Sequence, residues 1–159
     1  MVKNSILSQQ AQKIYDLIIE CESKFEEDDE LRSHMAKYIC ILCSGFLENA
    51  MYLIYTDWVS TKSPHVHIEA YVQHMLNKVQ NPNSDKFREI VRAFNLEWEP
   101  ALKDFLQEEE RASAINYIIK DRHKIAHGKN SDITLLGIKA HFDKAIEVVD
   151  FIESQLAIV

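Results

Sequence analysis

Asn116-Tyr117-Ile118-Ile119-Lys120-Asp121-Arg122-His123-Lys124-Ile125-Ala126-His127-Gly128 reads as the last turns of a helix and the glycine that ends it. At about 100° per residue, Ile115, Ile118, Ile119, Ile125 and Ala126 share one apolar stripe, and Arg122 falls in its middle. Asn116, His123 and His127 share a neighbouring edge, with Lys120 and Lys124 beyond it. A guanidinium among apolar neighbours is costly unless opposite charge or hydrogen bonds compensate it. Arg122 is therefore either paired inside the fold or aimed at an anion where two surfaces meet.

The rest of the chain reads as helix too. Its 159 residues suit one domain, 1–159, with room for a core. Hydrophobic residues make up 47%, with only three glycines and three prolines, which favours long helices and few loops. A first helix is expected from Ser8, as cap, to about Glu26, through Ile14, Leu17, Ile18, Cys21 and Phe25. A long second one, roughly Glu30 to Val59, carries Met35, Tyr38, Ile39, Leu42, Phe46, Ala50 and Leu53, with Asn49 in the stripe and Glu48 beside it. Ser63 and Pro64 suit the cap and first residue of a helix through Ile68 to Val79. Shorter helices follow, one through Phe87 to Phe94 and one from Glu97–Glu99 to about Leu106 with Pro100 in its first turn. The quoted helix is expected from about Glu109 to His127, and the last from Thr134 to Leu156 with a seam of Ile138, Phe142, Ala145, Val149, Ile152 and Leu156. No useful strand-like alternation occurs. The expectation is one all-α helical bundle, with the short helices between residues 64 and 107 inserted between its halves.

The net charge of -7 argues against broad, sequence-blind binding to nucleic acid. Lys120, Arg122, Lys124 and Lys129 nevertheless cluster with only Asp121 opposing them, which permits a phosphate site of limited size. Cys21, Cys40 and Cys43 are too few and too odd in number for a disulfide framework, and point to a reduced intracellular compartment. No secretory leader and no apolar run of membrane-spanning length is read in the sequence, so the expected location is cytoplasmic.

Histidine is the side chain most easily used for proton transfer near neutral pH, and a fixed guanidinium suits a phosphate. RNA supplies its own nucleophile in the 2′-hydroxyl, so Arg122 and His127 beside a scissile phosphate would promote internal attack without a metal. The plainer reading pairs Arg122 with a core carboxylate and leaves His127 at the helix end as a favourable cation. Five residues apart, the two side chains diverge by about 140° on an ideal helix. They meet on one phosphate only if His127 turns at a frayed end or a second copy completes the site. His123 and His127 have a zinc-compatible spacing, but no third ligand is near, and no metal is expected. Cys40 and Cys43 sit mid-helix without a second pair and read as small buried apolar residues. Asn49 and Glu48 are either core polar and surface charge, or reach across the bundle to orient Arg122 or His127. Trp58 and Trp98 read as packing, since no basic residues interleave with them.

Arg122-His123-Lys124-Ile125-Ala126-His127-Gly128 resembles the signature of HEPN domains, an arginine, a polar residue, a short gap and a histidine at a helix end. Together with Ile41 to Asn49 on a long early helix, Asn95-Leu96-Glu97-Trp98 midway and Asn130 to Thr134 after the motif, the chain is similar to the RiboL-PSP-HEPN branch from about residue 30 onward. The resemblance implies a helical bundle that forms a homodimer with two motifs facing across a cleft. It also implies a metal-independent endoribonuclease of a toxin–antitoxin, abortive-infection or antiviral system, restrained or triggered by a partner protein such as an antitoxin. Arg122 would contact the phosphate, His127 would move protons or orient the 2′-hydroxyl, and His123 would assist, leaving a cyclic phosphate and a free 5′-hydroxyl. Asn116, Lys120, Lys124, Glu48 and Asn49 are the expected supporting or RNA-binding residues. Some HEPN toxins carry, two positions after the histidine, a tyrosine that a partner nucleotidyltransferase modifies; here that position is Lys129. Other members keep the fold and bind RNA or a partner protein without cleaving, which is the alternative function.

Overall fold

The computed structural model describes residues 2–157. Helix α1 spans Ser5–Lys24, α2 Glu30–Lys62, α3 Val66–Leu76, α4 Ser84–Phe94, α5 Trp98–Gln107, α6 Arg111–Ala126 and α7 Leu135–Leu156. A single 3-10 turn, Glu108–Glu110, joins α5 to α6. No strand occurs among the described residues.

Local chemistry sets most boundaries. Asn4, not Ser8, caps α1: its Oδ1 accepts from the backbone N–H groups of Ile6 and Leu7, both at 3.1 Å. Starting there brings the fully buried Leu7 into the helix. Asp29 caps α2 through Leu31 N–H at 2.8 Å. This helix runs past Val59 to Lys62 and stops because Ser63 precedes Pro64, whose ring drives its neighbour out of the helical region. Ser63 thus closes α2 rather than opening α3, and His65 is the cap of α3. Thr134 caps α7 through Gly137 N–H at 3.0 Å.

Helices α1, α2, α6 and α7 pack together as the bundle. The segment α3 to α5 is an excursion between its halves: α3 lies on α2, α4 on α5 and α6, and α5 on α6 and α7. Because α2 touches α1, α3, α6 and α7, it is buried over a wider arc than one stripe. Ala36, Cys40, Cys43, Leu47, Met51, Ile54 and Tyr55 are buried alongside Ile39, Phe46 and Ala50, while Tyr38 from the expected stripe is half exposed. By length and composition α2 does contain a membrane-length apolar window, contrary to the sequence reading. More than half of that window is buried within the bundle, which gives its apolar character a packing role. Phe46 of α2 meets Phe142 of α7 edge to face at 5.2 Å, and Trp58 and Trp98 meet edge to face at 5.7 Å, so both tryptophans serve packing. All three cysteines are free and buried, and burial pushes the Cys40 thiol up to about 12.

The start of α6 is displaced from the expected Glu109. Glu109 and Glu110 take left-handed backbone angles, φ +50° and +60°, so the helix begins at Arg111. Arg111 is the buried arginine of α6. Its Nε donates to Glu147 at 2.7 Å, its Nη2 lies 3.1 Å from Glu109, and its guanidinium covers the Phe105 ring at 3.9 Å.

Candidate functional site

The buried line of α6 is Arg111, Ala114, Ile115, Ile118 and Asp121, centred near Ile118. Arg122 therefore sits on the border of the stripe and is half-buried, rather than in its middle. Ile119 and Ile125 are half-buried and Ala126 is exposed. Among the described residues, no carboxylate pairs with the Arg122 guanidinium and no hydrogen-bond acceptor meets it. Of the two readings of this side chain, internal pairing fails, and Arg111 takes that role instead.

His127 stands at the helix end in a well-defined cap. Gly128 adopts φ +63°, its N–H donates to Ile125 O at 3.1 Å, and Lys129 N–H donates to Lys124 O at 2.9 Å. These two bonds make the Schellman arrangement, in which a left-handed residue turns the chain back over the last carbonyls. His127 is the residue just before that turn, with φ -97° and ψ 14°, and its side chain is exposed. Its ring lies against that of His123, one turn earlier, at 4.3 Å between centroids. Among the described residues no group of three or more histidine, cysteine or acidic side chains is placed to hold a metal ion. What the arrangement offers, among the described residues, is a cation without an anion and, exposed at the same helix end, two imidazoles in contact.

Asp121, which the sequence reading noted only as a counter-charge, proves to be the buried acid of this helix end, at 1% exposure. Its Oδ1 accepts from Ser131 Oγ at 2.9 Å and from Lys124 Nζ at 3.0 Å, while Oδ2 has no partner among the described residues. The carboxylate thus ties the loop after Gly128 to the last turns of α6, and it holds the Lys124 ammonium above its usual range. Its signal in the sequence is the spacing 114, 118, 121, which continues the buried line. Nearby, Tyr117 lies on His141 of α7 at 4.2 Å, and partial burial lowers the His141 imidazole from the ordinary histidine value.

The supporting residues divide. Lys120, His123 and His127 are exposed on the motif's side of α6. Lys124 is held by Asp121. Asn116 uses its Oδ1 to accept from Ser84 N–H at 2.9 Å, fixing the start of α4. Glu48 accepts from Asn81 N–H at 2.5 Å, where Asn81 takes a left-handed φ of +47°. Asn49 is exposed, not core, and its amide donates to Gln10 at 3.2 Å. Glu48 and Asn49 therefore bond to the α3–α4 turn and to α1, and neither hydrogen-bonds to Arg122 or His127.

Comparison with known families finds one match, to the family described as RiboL-PSP-HEPN, over residues 9–157. No curated protein and no solved structure matches the chain. HEPN domains are all-α bundles and generally act as ribonucleases or RNA-binding modules. The match runs through the long second helix and the arginine–histidine end of the sixth, and the chain belongs to the RiboL-PSP-HEPN family.

Proposed function

We propose that the protein is a metal-independent endoribonuclease whose site is completed when two copies bring their α6 ends together. One observation carries this reading: among the described residues Arg122 is half-buried yet meets no anion, five positions before the exposed His127 at the same helix end. A guanidinium in that state is suited to a phosphate supplied from outside. In the reaction, one imidazole takes the proton of the 2′-hydroxyl as its oxygen bonds to phosphorus. The bond from phosphorus to the 5′-oxygen breaks, and a second imidazole returns a proton to that oxygen. The products are a 2′,3′-cyclic phosphate and a 5′-hydroxyl. Arg122 steadies the charge that builds on the phosphoryl oxygens. His127 of each copy supplies the proton chemistry, with His123 packed on it and Lys120 available to a neighbouring phosphate. We place this activity in a defence or growth-arrest system, with a protein partner to restrain it, on the family resemblance alone.

The test is cleavage of single-stranded RNA by purified protein in excess chelator, with end-group analysis. Wild type yields cyclic phosphate and 5′-hydroxyl ends, and Arg122→Ala and His127→Ala each lose at least about a hundredfold in rate while keeping the wild-type melting profile. Cleavage that needs a divalent cation, or that persists in His127→Ala, overturns the mechanism. RNA binding without cleavage assigns the protein to the binding modules instead. A strictly monomeric protein at assay concentration, measured by sedimentation, refutes the shared site.

A further inference from the structure

A polar cleft of ≈ 430 Å³ opens beside the loop that follows His127. One wall is the start of α2 with Arg32 and Lys37, near Glu27 of the preceding turn, and the other is the segment from Asn130 to Leu135. We propose that this cleft is a nucleotide subsite, which takes the phosphate on Arg32 and Lys37 and an amino-bearing base on Asp132. The inference rests on the ribonuclease reading only for the source of the nucleotide, the RNA strand that passes Arg122.

Charge is the first support. The chain carries a net -7, and Asp28, Asp29 and Glu30 precede Arg32 with only Leu31 between. Even so, among the described residues neither Arg32 nor Lys37 pairs with a carboxylate; Arg32 donates only to the Phe25 carbonyl, at 2.9 Å. Asp132 and Glu27 line the same cleft, and among the described residues neither forms an ion pair, although the Asp132 charge also acts on the Lys124 ammonium. Arg32 and Lys37 on one wall and the Asp132 carboxylate on the other, with no ion pair joining them among the described residues, match a ligand that has an anionic end and an amino-bearing end. Nucleotides of guanine, adenine and cytosine have both, with the exocyclic amine as donor to a carboxylate. Uracil lacks that amine. The volume falls within the roughly 300–1,000 Å³ of small-ligand sites.

Position is the second support. Asn130 is three residues beyond His127, so the backbones of the two residues lie at most about 11 Å apart. Ser131 lines the cleft and donates its hydroxyl to Asp121, the residue before Arg122. A strand laid across the α6 end therefore has its flanking nucleotide at the cleft mouth.

The experiment titrates the four nucleoside 5′-monophosphates into the full chain by calorimetry, and separately follows cleavage of short RNAs that differ in the base beside the cut. Lys37→Ala is the first variant, because its ammonium makes no bond within the described fold and its loss leaves the melting temperature unchanged. We expect it to weaken the amino-bearing nucleotides at least about fivefold. Asp132→Asn brings their affinity down toward that of uridine monophosphate. A shift of cleavage preference in Lys37→Ala identifies the RNA strand as the source; Lys37-dependent binding with unchanged cleavage identifies a free nucleotide. Equal affinity of wild type and Lys37→Ala, or no binding by wild type, overturns the subsite even if RNA is cut normally. Lys37-dependent binding by a wild type that cuts no RNA keeps the subsite and sinks the ribonuclease reading instead.

Discussion

Replacing Asp121 and Ser131, singly and together, measures how firmly the loop beyond Gly128 is fastened to α6. Asp121→Ala removes a hydroxyl-to-carboxylate hydrogen bond of 2.9 Å from a site at 1% exposure, which is worth about 2 kcal/mol. The Lys124 contact adds little, because the lysine side chain is 35% exposed and water screens it. The alanine also relieves Oδ2, which is buried without a partner, so the single variant understates the bond. The net loss expected for Asp121→Ala is about 1.5–2.5 kcal/mol, a fall of roughly 4–8 °C in melting temperature for a chain of this size. Urea unfolding of wild type, Asp121→Ala, Ser131→Ala and the double variant closes a thermodynamic cycle. The coupling expected is about 1–2 kcal/mol. Effects that add within about 0.5 kcal/mol refute the argument that this carboxylate fastens the loop.

Gly128→Ala is expected to cost about 1 kcal/mol, from backbone strain alone, since φ is +63° and nothing lies within 4 Å of the added methyl; unchanged urea midpoints would remove the left-handed cap. Burial lowers the His141 imidazole below its ordinary value, so the unfolded chain takes up that proton at higher pH than the folded one. Stability is therefore expected to fall as pH drops below about 6.5, and the loss continues to the lower folded value. His141→Gln should flatten that part of the stability–pH curve, and an unaltered slope would contradict the assignment.

The all-α fold and most element positions were legible because periodicity and punctuation are local. Gly128 at the end of α6, Pro100 in the first turn of α5 and the seam of α7 stand where their chemistry requires. Several of the misreadings share a cause, since the side chains that decide them fold back from elsewhere in the chain. Ile125 and Ala126 pulled the apparent centre of the α6 stripe onto Arg122, but Ile125 is only half-buried and Ala126 is exposed, and the true centre lies near Ile118. Asp121 looked like a solvated counter-charge until Ser131 and Lys124 closed on it. Arg111 carries no local signal of burial, and it is Glu147, on another helix, that pairs with it. Glu48 and Asn49 were close to the right helix face for the motif, yet the α3–α4 turn and α1 claim them. The motif itself was readable, because arginine, histidine and glycine lie within seven residues of one another.

The clasp around Arg111 sits at the opposite end of α6 from the motif. A helix of 16 residues is about 24 Å long, so it acts as a lever with Arg111 at its fulcrum. A swing of only ~10° at that fulcrum carries the His127 end through about 4 Å, several times the ~0.5 Å within which a working constellation must be held. The placement of the Arg122 and His127 end is therefore set in part by Glu109, Glu147 and Phe105, and loosening that grip would shift the far end while leaving every side chain there intact.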